Sequence, residues 1–135
     1  MNMIKKINIE LAVNTILILA ALVFVFHILI ISGVIPYQYV WGGRLESNEQ
    51  MLRFESISMI INLFIIFIVS IKGNYIRPYL SSKVVKVFFW IFSILFVLNT
   101  IGNLLSLNSL EAIIATPITF ILALMFLRLA TEEIK

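Results

Sequence analysis

The side chains in this chain that could do chemistry inside its apolar runs are a handful of amides and hydroxyls, one carboxylate and the single histidine. His27 stands about two helical turns from the far end of the first run. Glu55, Ser58 and Asn62 follow an i, i+3, i+7 stripe in the second. Asn99, Asn103 and Ser106 follow an i, i+4, i+7 stripe in the third, with Thr100 beside it, and Thr116, Pro117 and Thr119 open the fourth. There is no cysteine, which removes disulfides, thiolate catalysis, thiolate metal sites and thiol redox chemistry. One imidazole with Glu55 as its nearest carboxylate cannot complete a zinc site, so neither metal nor cofactor is expected. Acid–base work on a lipid by Glu55 or His27 would rest on one carboxylate and one imidazole, and no catalysis is assigned.

Each of these residues also has a quieter role. Asn, Ser and Thr join membrane helices through hydrogen bonds worth about 0.6–2 kcal/mol apiece, and a lone histidine can be a hydrogen-bonded interior residue. Glu55 reads in three ways: an interfacial carboxylate in headgroup water or paired with Arg44 or Arg53, the counter-ion of a cationic amphiphile, or a proton carrier. Pro117 can kink its helix and release the carbonyl of Ile113.

The elements that must position these groups are membrane helices. Of 135 residues, 61% are hydrophobic and 13% charged, and the mean hydropathy is +1.09, whereas soluble domains are about half apolar and a quarter charged. Crossing about 30 Å of hydrocarbon takes about 20 apolar residues. Four segments qualify, roughly 10–34, 55–71, 87–106 and 112–130, in a single domain without internal repeats. The first is too long for a cleaved signal peptide, despite Lys5 and Lys6 before it. Ser47-Asn48-Glu49-Gln50 has the spacing of a capping box, so the second helix is expected to begin outside the bilayer and run inward unbroken. The expected architecture is all-α, a four-helix membrane bundle.

Orientation follows from the cations. Lys5, Lys6, Lys72, Arg77, Lys83, Lys86, Arg128 and Lys135 flank one side, eight against Arg44 and Arg53 on the other, which predicts both termini in the cytoplasm. So uneven a count argues against a dual-topology dimer. The net charge of +3 is then an orientation signal, with no nucleic-acid partner implied. Abundant Ile, Lys and Asn fit an AT-rich bacterial genome and hence an inner membrane. In this topology the polar stripes all lie in the outer half, and the inner half is apolar apart from Asn14, Thr15 and Ser93. Stripes at one depth on several helices imply that they face each other, around a polar chamber open outward or sideways.

The first loop, about 35–54, alternates aromatic and β-branched residues before Gly42-Gly43. That pattern predicts a short extended strand and a tight turn. Tyr37, Tyr39, Trp41 and Arg44 are either an aromatic belt at headgroup depth or a lid over the chamber.

Phe54-Glu55 at the start of the second helix, the basic turn Lys72-Gly73, Thr116-Pro117 and the closing Phe126-Leu127-Arg128 resemble the EXPERA-domain family of sterol isomerases and sigma-two-receptor-like proteins, over roughly the last 80 residues. The resemblance implies a four- or five-helix bundle with cytoplasmic ends and a lipophile pocket. Glu55 would then pair with a ligand's amine or cationic intermediate, with His27 as a second group. Two family features, a further acidic residue near the outer end of the first helix and a longer first loop, are missing.

Three functions are compatible with this reading. The first is binding of a lipophilic or amphiphilic molecule or lipid, its polar end held by Glu55, Asn62, Asn99 and Asn103, with His27, Ser58, Thr100, Thr116 and Thr119 around them. The second is a channel or transporter subunit acting as a homo-oligomer, with Asn14 and Thr15 on the inner path. The third is a non-catalytic partner of a larger membrane complex. Membrane lipids are neighbours in every case.

Overall fold

The structure, a computed structural model, describes residues 2–134; Lys135, one of the eight flanking cations, lies outside them. After a single helical turn, Asn2–Lys5, the chain forms four long helices: α1 (Ile9–Ile31), α2 (Asn48–Lys72), α3 (Ser82–Leu104) and α4 (Ser109–Ala130). At 22 to 25 residues they are about 33–38 Å long. All four are long and apolar enough to cross a bilayer, so the chain is a multi-pass membrane protein.

The helices outrun their apolar segments because polar caps start them ahead of the first apolar residues. Ser47 Oγ accepts the Gln50 N–H at 3.1 Å, so α2 begins at Asn48, ahead of the apolar segment that opens near residue 55, as the spacing of its cap predicts. Gln50 Oε1 accepts from Glu46 N–H, one residue earlier than a capping box would have it. Asn8, Ser81 and Asn108 cap the other three helices through their side-chain oxygens, satisfying N–H groups that lack an intrahelical partner. At the far end α1 stops at Ile31, short of residue 34. Gly33 adopts φ +84°, and the Ile35 N–H closes on the Leu29 carbonyl at 3.1 Å, an ending that favours glycine.

Consecutive helices pair as two antiparallel hairpins, α1 with α2 and α3 with α4, and α1 packs on α4, while α2 and α3 approach each other little. The order around the bundle is therefore α2, α1, α4, α3. The α2–α3 seam is bridged by the edge of Phe64 against Phe88 and Phe92, centroids 4.9 and 6.1 Å apart. The main core joins Val13, Ile16, Ile68, Phe89, Phe92 and Phe126 and fills the half of the bundle nearest the termini. A second core of Ile30, Val40, Leu45 and Met51 lies at the opposite, loop end.

Between residues 35 and 47 the expected strand is absent. Tyr37–Tyr39 and Trp41–Gly43 each form a 3-10 turn, and Trp41, Gly42 and Gly43 have φ of 55°, 70° and 72°. With no neighbouring strand to supply partners, the backbone closes on itself: Val40 N–H on Tyr37 O at 3.2 Å, Gly43 N–H on Val40 O at 3.0 Å. Buried backbone groups are rarely left unpaired, and coiling is the local way to pair them.

Candidate functional site

Among the described residues the buried polar side chains are Glu55, Asn62 and Ser93. Ser93 ties α3 to α4 inside the main core, donating to the Ala123 carbonyl at 3.1 Å. Glu55 and Asn62 lie on one face of α2 in the layer between the two apolar cores, with Asn62 about 10 Å further along the helix.

Glu55 is 0% exposed and both of its oxygens are engaged. Oε1 accepts the Trp41 indole N–H at 2.7 Å, and Oε2 meets Nδ1 of His27 across the α1–α2 interface. His27 keeps 15% of its side chain exposed. Neither arginine takes part: Arg44 reaches the other hairpin and donates to the Leu105 carbonyl at 3.3 Å, and Arg53 is exposed. Glu55 thus engages side chains from two separate elements, which fixes the first loop over α1 and α2.

The second hairpin carries its own cluster. Asn103 Nδ2 donates to Thr119 Oγ1 at 3.2 Å, and the Thr100 hydroxyl lies 3.0 Å from the same oxygen. Nearer the loop end, Glu111 Oε2 accepts from Ser106 Oγ at 2.7 Å and from the Gly42 N–H at 2.9 Å. The Leu107 N–H returns to the Gly42 carbonyl at 3.1 Å. Gly42 therefore links the first loop to the second hairpin through both its backbone groups.

Of the lid residues, Trp41 lies against Phe54, centroids 5.1 Å apart, and closes over Glu55. Tyr37 packs on the second core, Arg44 spans the hairpins, and Tyr39 is exposed. Of the stripes, His27 and Glu55 are brought together, as are Thr100, Asn103 and Thr119. Asn99 is not: it is exposed on α3. Ser58 is half-buried. Asn62 Oδ1 and Thr116 Oγ1 are buried without a hydrogen-bond partner, a condition that costs about 1–3 kcal/mol per group. Helix α4 continues through Pro117. On the expected conducting path, Asn14 Oδ1 is taken by the Tyr75 hydroxyl at 2.6 Å.

Glu111 and Gly42 were not among the residues the stripes select. Asn108-x-x-Glu111 has helix-start spacing, the one local signal for Glu111, but it does not tell that the carboxylate will reach a loop 69 positions away. Among the described residues no three His, Asp or Glu side chains converge in a way that could hold a metal ion.

Compared with protein-family models, curated proteins and solved structures, the chain finds no match. Fold and site together define a multi-pass membrane helical bundle with a polar layer held between two apolar cores at its loop end.

Proposed function

We propose that the protein lies in the cytoplasmic membrane of a bacterium with both termini inside, and that its loop-end polar layer binds the head of an amphiphile entering from the outer leaflet. The orientation is supported by Lys5, Lys6, Lys72, Arg77, Lys83, Lys86 and Arg128 flanking the termini end. Binding is supported above all by the buried, unpartnered acceptor Asn62 Oδ1, with Thr116 Oγ1 in the same condition on α4. A ligand that fills this layer would carry an O–H or N–H donor in its head and an apolar tail. The loosely joined α2–α3 seam is the side at which such a tail would leave.

The likeness to EXPERA proteins bears on the head's charge. Both oxygens of Glu55 are occupied by His27 and Trp41, so a ligand amine would have to exchange for the imidazole. An alcohol head needs no such exchange and can engage Asn62 directly.

The test uses purified protein in detergent with a long-chain alcohol, the matching alkylamine and the matching alkane. The alcohol and amine are expected to raise the melting temperature and the alkane to leave it unchanged. Asn62→Leu should abolish that stabilisation while raising the melting temperature of the unliganded protein, because it removes an unsatisfied buried group. Equal stabilisation of Asn62→Leu and wild type would reject the site.

A second reading, self-association, is favoured by Asn99. Its amide is exposed on α3, about 20 Å along the helix from Lys86 and thus about 10 Å inside a 30 Å hydrocarbon layer. An amide in lipid gains from pairing, and two copies of one asparagine can donate to and accept from each other.

A further inference from the structure

A cleft of about 390 Å³ opens at the termini end, where the C-terminus of α2, the N-terminus of α3 and the tail after α4 meet. Its floor is apolar, formed by Val85, Phe89 and Leu129 of the main core. Its walls carry Lys72, Lys86 and Ser82, the first residue of α3, facing Glu132 and Glu133 of the tail.

The positive charge gathered here is high for a helix start. The first turn of α3 has no acidic residue, and Lys83 and Lys86 add cations where the helix dipole is already positive, an arrangement that favours a nearby anion. The group that meets this demand comes from the tail. The Glu132 carboxylate pairs with Lys72, and the Glu132 carbonyl accepts from Lys86 Nζ at 3.0 Å. On the other side of the tail a smaller cleft of about 220 Å³ is lined by Lys5 and Arg128 together with Glu132 and Glu133. The tail residues therefore lie between cations on both sides.

Glu132 is held at the edge of the cleft: its side chain is 32% exposed and that of Lys72 28%, with the paired oxygen Oε2 buried. Partly exposed ion pairs contribute modestly to stability. The floor residues Val85, Phe89 and Leu129 are themselves buried, so what the cleft offers an anionic head is the two ammonium groups of Lys72 and Lys86 on its walls. Basic pockets between membrane helices suit anionic lipid heads for this reason.

We propose that this cleft is a binding site for an anionic head group of the phosphate class, and that Glu132 is its built-in competitor, displaced when the anion enters. The site is separate from the loop-end layer and stands whether or not that layer binds a ligand. The same head-group chemistry could arrive on a lipid of the adjacent leaflet or as a free phosphate.

The experiment measures melting-temperature shifts of the purified full-length chain in a neutral detergent. It uses short-chain phosphatidylglycerol, short-chain phosphatidylcholine and inorganic phosphate. Phosphatidylglycerol is expected to stabilise saturably and phosphatidylcholine not. Stabilisation by phosphatidylglycerol alone supports a lipid head, and an equal effect of inorganic phosphate supports the same site with a free anion as its source. Glu132→Gln should tighten the apparent affinity about threefold by removing the competing charge. Lys86→Met should weaken it about tenfold by removing a charged donor. Equal shifts with the two lipids would overturn the proposal, as would an affinity unchanged in Glu132→Gln. Should Lys86→Met fail to fold, Glu132→Gln still decides, since it takes away one carboxylate charge and no packing.

Discussion

The carboxylate of Glu55 draws its importance from the donors it satisfies. Its oxygens hold an imidazole on α1 and an indole on the first loop, so truncation leaves two part-buried groups without their partner. Glu55→Ala is expected to lower stability by about 1–3 kcal/mol, in keeping with the cost of lost polar partners, and Glu55→Gln by less, since the amide oxygen can still accept from Trp41. Thermal unfolding in detergent measures both. Gly42 offers a different residue-scale test. With φ at +70° and both backbone groups bonded to the second hairpin, Gly42→Ala should cost about 1–2 kcal/mol through its left-handed conformation. The added methyl would meet Arg44 Nη1 at 2.6 Å, the far end of a flexible side chain that can move aside. Gly102→Ala is the counterpart: it sits inside α3 with open space around its Cα and should stabilise by about 0.5–1 kcal/mol.

At the scale of the elements, hydropathy located all four helices but set their limits by where lipid begins. The caps at Asn8, Ser47, Ser81 and Asn108 set the real starts; the spacings Ser47–Gln50 and Asn108–Glu111 are legible in the sequence, whereas Asn8 and Ser81 carry no such signal. Ser47→Ala should destabilise by about 1 kcal/mol, measurable as a lower melting temperature with the fold retained. The first loop reads differently in sequence and in space: its alternation fits a strand, but a strand needs a partner, and nothing beside it offers one. The exposed amide on α3 predicts contact between copies. The chain has no cysteine of its own, so a single cysteine beside Asn99 reports cleanly. A disulfide-linked dimer is expected from Leu95→Cys, one turn from Asn99 on its face of the helix, on mild oxidation in native membranes, and Val97→Cys, on the opposite face, should cross-link less. Equal cross-linking at the two positions, or cross-linking of Leu95→Cys unchanged by Asn99→Leu, would argue against an interface centred on Asn99.

For the molecule as a whole, the proposed orientation is testable with single cysteines. Gln38→Cys in the first loop should react with an impermeant maleimide on intact cells. Asn74→Cys, between α2 and α3, should react only after permeabilisation, and the reverse pattern would reject cytoplasmic termini. The bundle divides by depth. An apolar core seals the half nearest the termini, and Asn14, once a candidate for an inner path, is occupied by Tyr75; this packing gives no support to conduction through a single copy. What the chain determined without its fold is what depends on neighbours in sequence. Backbone groups in lipid must pair within their own segment, so long apolar runs become helices, and cations at their ends bias the orientation in which they insert. Which polar groups meet depends on how each helix is rotated and which helices adjoin. Those are settled by side-chain packing across the bundle, so only the tertiary structure could bring His27 to Glu55, carry Glu111 to Gly42, turn Asn99 outward and leave Asn62 buried without a partner.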